Sequence, residues 1–125
     1  MILGTGLDLA QVVRVQAAVT RHGRRFLERV FTPREIAYAE SKANRFERYA
    51  ARFAAKEAGM KAIGTGWRRG VTWHDFEVIN LDTGRPTLRL SGRAKLVADE
   101  MGVANIWVSL SHTAEFAMAQ VILET

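Results

Sequence analysis

From Ile2 to Leu9 (ILGTGLDL) apolar and small or polar positions alternate as in a strand. Ile2, Gly4, Gly6 and Asp8 fall on one face, and Leu3, Thr5, Leu7 and Leu9 on the other. A helical period follows from Ala10 to about Val30, with Val12, Val15, Val19, Phe26 and Val30 on one side and Arg14, Arg21 and Arg25 opposite. Gly23 is placed to divide this helix in two. Thr32-Pro33-Arg34-Glu35 then carries a strong start signal: an N-cap threonine, proline at the first helical position and glutamate at the third. The helical pattern runs from there toward Gly64, with an interruption expected near Ser41 to Asn44. After Gly70 the chain reads as strands plus one helix. Phe76 to Leu81 and Pro86 to Leu90 flank the turn Asp82-Thr83-Gly84-Arg85, and Ser91 is predicted to cap a short helix that ends at Met101-Gly102. Ile106 to Ser111 and Ala117 to Glu124 are the last strands, with His112 in the turn region between them.

The stretch Arg52 to Gly66 (RFAAKEAGMKAIGTG) stands out because charged groups interrupt a run of apolar and small residues. At roughly 100° per residue, Tyr49, Phe53, Met60 and Ile63 form a bulky arc, and Ala51, Ala54, Ala55, Ala58 and Ala62 a small one. Arg48, Arg52, Lys56 and Gly59 are assigned to the wetter sector. Glu57 and Lys61 project between the two apolar arcs. A Glu-to-Lys pair spaced i,i+4 is ordinarily a solvated one, stabilising by a few tenths of a kcal/mol. Taken out of water, the same two groups must pair, bind a metal or serve a ligand. Gly59 costs its helix about 1 kcal/mol relative to alanine, with nothing in the sequence to account for it. Asp8 ends a strand face kept bare by two glycines, which allow a backbone or a ligand to come close; it either caps the following helix or stands at the mouth of an open spot.

The 125 residues, 48 % of them hydrophobic, suit one domain spanning 1–125 with a modest core. No apolar run is long enough to span a membrane, and no signal peptide is readable. With no cysteine in the chain, this favours a cytoplasmic location and removes thiolate nucleophiles, zinc-thiolate sites and disulfides. Charge is uneven. Residues 1–70 carry 14 Lys and Arg against 6 Asp and Glu, whereas 71–125 carry 4 against 7. The basic half predicts an acidic partner. Arg24, Arg29 and His22 flank the stripe of Arg14, Arg21 and Arg25, making a cationic ridge on an apolar base. The segment Gly64-Thr65-Gly66-Trp67-Arg68-Arg69-Gly70 is compatible with phosphate, because backbone N–H groups and guanidinium forks both suit phosphate oxygens. The common nucleotide fingerprints are absent.

Three separated pieces resemble one family: GTGLDLAQVVR at Gly4 to Arg14, RFAAKEAGMKAIGTG at Arg52 to Gly66, and SLSHTAEFAMAQVI at Ser109 to Ile122. Together they are similar to the three signatures of the small bacterial holo-acyl-carrier-protein synthases, members of the 4′-phosphopantetheinyl transferase superfamily. The resemblance implies an α+β fold in which a small, mostly antiparallel sheet packs against a long helix and shorter helices. It implies transfer of the phosphopantetheine arm of coenzyme A to a serine of an acidic acyl carrier protein, with release of adenosine 3′,5′-bisphosphate. By motif position, Asp8 and Glu57 are the expected Mg²⁺ ligands, a set that suits an ion preferring one or two carboxylates plus phosphate oxygen and water. Lys61 is expected against the pyrophosphate and His112 near the phosphates or the incoming serine, leaving Glu57 or a metal-bound water to accept the serine proton. The bare glycine face beside Asp8 becomes, on this view, room for metal and pyrophosphate.

Further expectations from the resemblance are coenzyme A contacts from Arg45, Arg52, Gly64, Gly66, Gly84, Arg85 and Pro86. Carrier-protein contacts are expected from Arg14, Arg21, Arg24, Arg25 and Phe26. A homotrimer with active sites between subunits is also implied, with no role for nucleic acid or membrane. Two rivals arise from the residues themselves. One is a basic nucleic-acid-binding module, motivated by an isoelectric point near 10.2 and by Trp67 beside Arg68 and Arg69. The other is a Mg²⁺-dependent phosphohydrolase built on the same two acids.

Overall fold

The first strand and the last two form one antiparallel sheet, and the longest helix lies across its inner face. In chain order the computed structural model, which describes residues 1–125, has β1 (Ile2–Gln11), α1 (Val12–His22), α2 (Arg24–Val30), α3 (Pro33–Glu40), α4 (Arg45–Ile63), β2 (Phe76–Asn80), β3 (Pro86–Leu90), α5 (Gly92–Met101), β4 (Asn105–His112) and β5 (Phe116–Glu124). The sheet order is β1-β5-β4, with Asp8 opposite Ala119 and Leu110 opposite the same alanine from the other side. β2 and β3 form a separate antiparallel hairpin. This is the expected α+β arrangement.

Local signals set most of the boundaries. Gly23, at φ 57°, separates α1 from α2. The Thr32 side chain accepts from the Glu35 N–H while the Glu35 carboxylate accepts from the Thr32 N–H, a complete capping box. Gly64, at φ 78°, ends α4 in the left-handed conformation that favours glycine. Ser91 occupies the N-cap position of α5 but makes no side-chain cap bond. Instead Asp75 serves that helix from outside, its Oδ2 accepting from the Ala94 N–H at 3.2 Å. His112 is the last residue of β4 rather than part of the following turn.

The two strand glycines meet a helix, not a ligand. A Cβ on Gly4 or Gly6 would run into the carbonyls of Ala62 and Ala58, so these glycines let α4 seat its alanine arc directly on β1. The room foreseen there for metal and pyrophosphate is filled by backbone. Gly59 is explained the same way. Its missing Cβ would sit 2.9 Å from the Phe76 ring and 3.0 Å from Leu88, where the β2–β3 hairpin packs on the helix.

The sector of α4 assigned to water is the largest departure from the sequence pattern. Arg52, Lys56 and Gly59 are all buried, and Lys56 is fully so. Its Nζ pairs with Glu35 Oε1 at 2.7 Å and donates to the carbonyls of Phe76 at 2.6 Å and Trp73 at 3.2 Å. Glu35 Oε2 accepts from the Val78 N–H at 2.8 Å. All three ammonium protons thus have acceptors, and the pair ties α3, α4 and β2 together. Burial pushes the Lys56 ammonium below its ordinary range, and the Glu35 charge opposes that. The helix is surrounded on more sides than a period of 3.6 reveals, because the hairpin covers the flank that faces away from the sheet.

Removing one partner of such a pair leaves a buried charge without its counterion. Lys56→Met is expected to lower unfolding stability by about 3–5 kcal/mol in urea titrations, and Lys56→Met combined with Glu35→Leu to recover only part of that loss, because Glu35→Leu also leaves the Thr32 and Val78 N–H groups without their acceptor.

Candidate functional site

At the β1 edge of the sheet, Asp8 projects inward in line with Gly4 and Gly6, just beyond the point where α4 closes on the strand. The helix presents Glu57 and Lys61 there, one turn apart. Lys61 Nζ donates to Asp8 Oδ1 at 3.1 Å and to the Leu7 carbonyl at 2.9 Å. The Asp8 side chain is 16 % exposed and that of Lys61 53 %. Glu57 is half-buried. Burial first, and then the neighbouring Asp8 charge, push its carboxyl above the usual range, while Lys61 pulls the other way. Asp8 is not a helix cap, since α1 begins at Val12 and its N-cap residue is Gln11, with no side-chain cap bond.

Two acids and one ammonium make a site short of positive charge. Asp8 and Glu57 line the same cleft, of about 290 Å³, with Gln11, Arg14, Phe26 and Phe53 among its walls. No group of three or more histidine or acidic residues gathers anywhere in the fold. This donor set suits a hard divalent ion that takes its remaining ligands from water and phosphate oxygens, as Mg²⁺ does. It does not suit zinc or calcium, whose closed sites need more protein ligands.

The remaining predicted residues separate into three places. His112 stands at the β4 edge, on the far side of the sheet from Asp8, with Nδ1 2.9 Å from Glu47 Oε1 in the first turn of α4. Ten residues of helix, about 15 Å, separate Glu47 from Glu57. Arg45 is at this same end and donates to Glu40 at 3.1 Å. Arg52 is 4 % exposed, its guanidinium 3.9 Å from the centre of the Tyr38 ring and its Nε without a hydrogen-bond partner. Gly64 and Gly66, both at positive φ, follow Lys61 at the other end of α4. Gly84, Arg85 and Pro86 form the hairpin tip, with the Arg85 guanidinium over Trp107 of β4 at 4.6 Å.

Arg14, Arg21, Arg24 and Arg25 are all exposed on α1 and α2. Only Arg24 has an acidic partner, Glu28 at 3.1 Å. Phe26 is partly buried against the core and lines the Asp8–Glu57 cleft together with Arg14. The basic ridge therefore borders the acids directly. Sequence reasoning missed Glu47; its position in the first turn of a helix offered an ordinary explanation, and nothing linear connects it to His112.

The chain is similar to known proteins over almost its whole length. Residues 4–121 match the model of the 4′-phosphopantetheinyl transferase superfamily. The chain belongs to that superfamily. It is 64 % identical to the holo-[acyl-carrier-protein] synthase of Solibacter usitatus and 57 % identical to that of Koribacter versatilis, in each case over 99 % of both chains. Among solved superfamily structures, it resembles the holo-[acyl-carrier-protein] synthase of Helicobacter pylori in complex with coenzyme A, with a TM-score of 0.84, 30 % identity and coverage of 96 % of this chain and 99 % of that one. The synthase from Bacillus anthracis, in complex with CoA (3′,5′-ADP), gives a TM-score of 0.81 at 37 % identity over 100 % of this chain and 98 % of that one.

If the Asp8 charge helps hold the Glu57 proton, Asp8→Asn is expected to move the Glu57 carboxyl down toward the usual range. Carbon-13 titration of the metal-free protein reads this directly, and an unchanged Glu57 midpoint would remove the coupling.

Proposed function

We propose that this chain transfers the 4′-phosphopantetheine group of coenzyme A to a serine hydroxyl of an apo acyl carrier protein, releasing adenosine 3′,5′-bisphosphate. The observation that carries the reading is the convergence of Asp8 and Glu57, from two distant motifs, on one cleft, with Lys61 paired to Asp8 beside it, in a chain so similar to holo-[acyl-carrier-protein] synthases over its whole length. Phosphoryl transfer of this kind needs positioning and charge neutralisation more than covalent help from the protein.

Asp8 and Glu57 are the residues that would hold Mg²⁺, which when bound supplies positive charge to the pyrophosphate. Lys61 is exposed enough to turn from Asp8 toward a phosphate oxygen and stabilise the charge that develops as the bond to the bisphosphate breaks. The half-buried Glu57 carboxylate also lies within the cleft that would receive the serine. Arg52, although its Nε lacks a partner, is 4 % exposed against Tyr38 and closed to a phosphate within the single copy, whereas Arg45 and the Gly84-Arg85-Pro86 turn are the accessible candidates for the coenzyme A surface. Arg14, Arg21, Arg24, Arg25 and Phe26 form the docking ridge for the acidic carrier protein. Rim charges of this type act mainly on encounter and orientation.

In one protomer, His112 and Arg45 are at the far end of α4 from Asp8 and Lys61. Apposition of copies would bring the two groups together. The outer face of the sheet suits such a contact, since Leu7, Leu9, Trp107, Phe116 and Met118 are all at least 40 % exposed on it. We read the active form as a homotrimer with sites between subunits, acting in the cytoplasm, as the family resemblance implies; separately, no helix of the chain is long and apolar enough to cross a membrane. The nucleic-acid alternative has in its favour the net charge of +5 and the exposed Trp67 beside exposed Arg68 and Arg69, of which Arg69 is already paired with Glu100; the similarity to synthases over the whole chain favours the transferase.

Intact mass spectrometry of an apo carrier protein incubated with this chain, coenzyme A and Mg²⁺ is expected to show one added phosphopantetheine, and no addition when either small component is left out. Asp8→Ala and Glu57→Ala should each abolish the mass shift while circular dichroism stays that of the folded protein; full activity in either variant would overturn the metal assignment. Arg14→Glu with Arg21→Glu should raise KM for the carrier protein at least tenfold and leave KM for coenzyme A within about twofold, in line with about 1.4 kcal/mol per decade.

A further inference from the structure

Glu47 is the only acidic residue in the first turn of α4, and its one side-chain partner is His112. The other polar side chains around it are engaged elsewhere: Arg45 with Glu40, and Arg48 with Asn44 Oδ1 at 3.2 Å. Both members of the Glu47–His112 pair are about one-quarter exposed, at 25 % and 24 %. The contact is thus neither a surface pair free to dissolve into water nor a sealed core contact. It joins the start of the long helix to the end of the edge strand.

The chemistry of the pair fixes which ring nitrogen does what. An ionised carboxylate can only accept, so Nδ1 must carry a proton at 2.9 Å from Glu47 Oε1. Nε2 is then the ring atom left without a protein partner. In the neutral ring it offers a lone pair, and in the charged ring an N–H. Without Glu47, no partner fixes the rotation of the imidazole, and its neutral form reverts to the mixture of a free ring, in which Nε2–H predominates.

We propose that Glu47 is a positioning residue for the transfer reaction: it locks the His112 ring and tautomer so that Nε2 faces the phosphate or serine oxygen that a neighbouring copy's Asp8–Glu57 cleft would bring to it. This rests on the function proposed above, and it adds a residue outside the three motifs that carry the family resemblance. Glu47 itself touches no reacting atom; it acts through His112. Fixing an imidazole by a carboxylate on its second nitrogen is a general device wherever the other nitrogen must meet a ligand.

Nitrogen-15 spectra of the histidine rings, together with steady-state kinetics, test this in the full chain with apo carrier protein, coenzyme A and Mg²⁺. In the unmodified chain His112 is expected as the Nδ1–H form when neutral, and in Glu47→Ala as a mixture dominated by Nε2–H. Glu47→Ala should lower kcat about 10- to 100-fold, the range typical of a lost orienting partner, with KM for the carrier protein within about twofold. Glu47→Gln, whose amide oxygen still accepts from Nδ1–H, should recover most of the rate. Glu47→Ala added to His112→Ala should cost nothing further, because both variants remove one device. An unchanged tautomer or an unchanged kcat in Glu47→Ala overturns the proposal, as does a double variant whose losses multiply. His112→Ala at full rate would be a failure of the role given to His112 in the transfer reaction, and the nitrogen spectra distinguish that failure from a failure of the pairing.

Discussion

A single lysine ammonium, shut away from water, holds the catalytic half of this molecule in register. Lys56 Nζ meets the Glu35 carboxylate and two backbone carbonyls, and Glu35 in turn closes the capping box of α3 and accepts from a β2 amide. Three segments distant in sequence are thereby referred to one point. Such a pair is not a large net source of stability, because desolvation offsets most of the Coulomb attraction. What it contributes is specificity of arrangement. The next residue along the helix is Glu57, and any rotation or slide of α4 that misplaced Glu57 would also have to break the Lys56 contacts.

The second constraint is the absence of side chains. Gly4 and Gly6 on the strand, with Ala58 and Ala62 on the helix, allow backbone-to-backbone approach, and this sets how far the helix stands from the sheet. Asp8 is the first position on that strand face to carry a functional side chain. It appears where the helix has just passed, so its carboxylate meets Lys61 and shares a cleft with Glu57. Close packing on one side of Asp8 and an open cleft on the other are two consequences of the same alternation. Burial first, and then the Asp8 charge, raise the Glu57 carboxyl, and two acids against one ammonium favour a cation at this point.

α4 also divides the chemistry in space. Its C-terminal half brings Glu57 and Lys61 to Asp8 at the β1 edge, while its first turn carries Arg45 and Glu47 beside His112 at the β4 edge. Ten residues of helix, about 15 Å, lie between Glu47 and Glu57, so the two groups are not in contact within one copy. Separation of this kind, combined with an apolar outer sheet face, gives assembly a chemical purpose: it would complete a site as well as cover exposed hydrophobic area.

By itself the sequence determined nearly every element boundary, because caps, glycines and alternation act over a few residues. Thr32 to Glu35, Gly23, Gly64 and the hairpin around Gly84 needed no knowledge of distant contacts. The three motifs that carry the family resemblance were equally linear, and with them the identity of Asp8, Glu57 and Lys61. Only the tertiary structure decided what surrounds each face of α4. Lys56 and Arg52 looked solvated because charge usually marks the wet side of a helix, yet the β2–β3 hairpin folds back over that side and Glu35 arrives from 21 positions upstream to neutralise the lysine. The use of the glycines was undecidable for the same reason, since a bare face admits a ligand or a helix equally well and only the path of the chain selects between them. The pairing of Glu47 with His112, 65 positions apart, was invisible in sequence because nothing local to either residue requires the other.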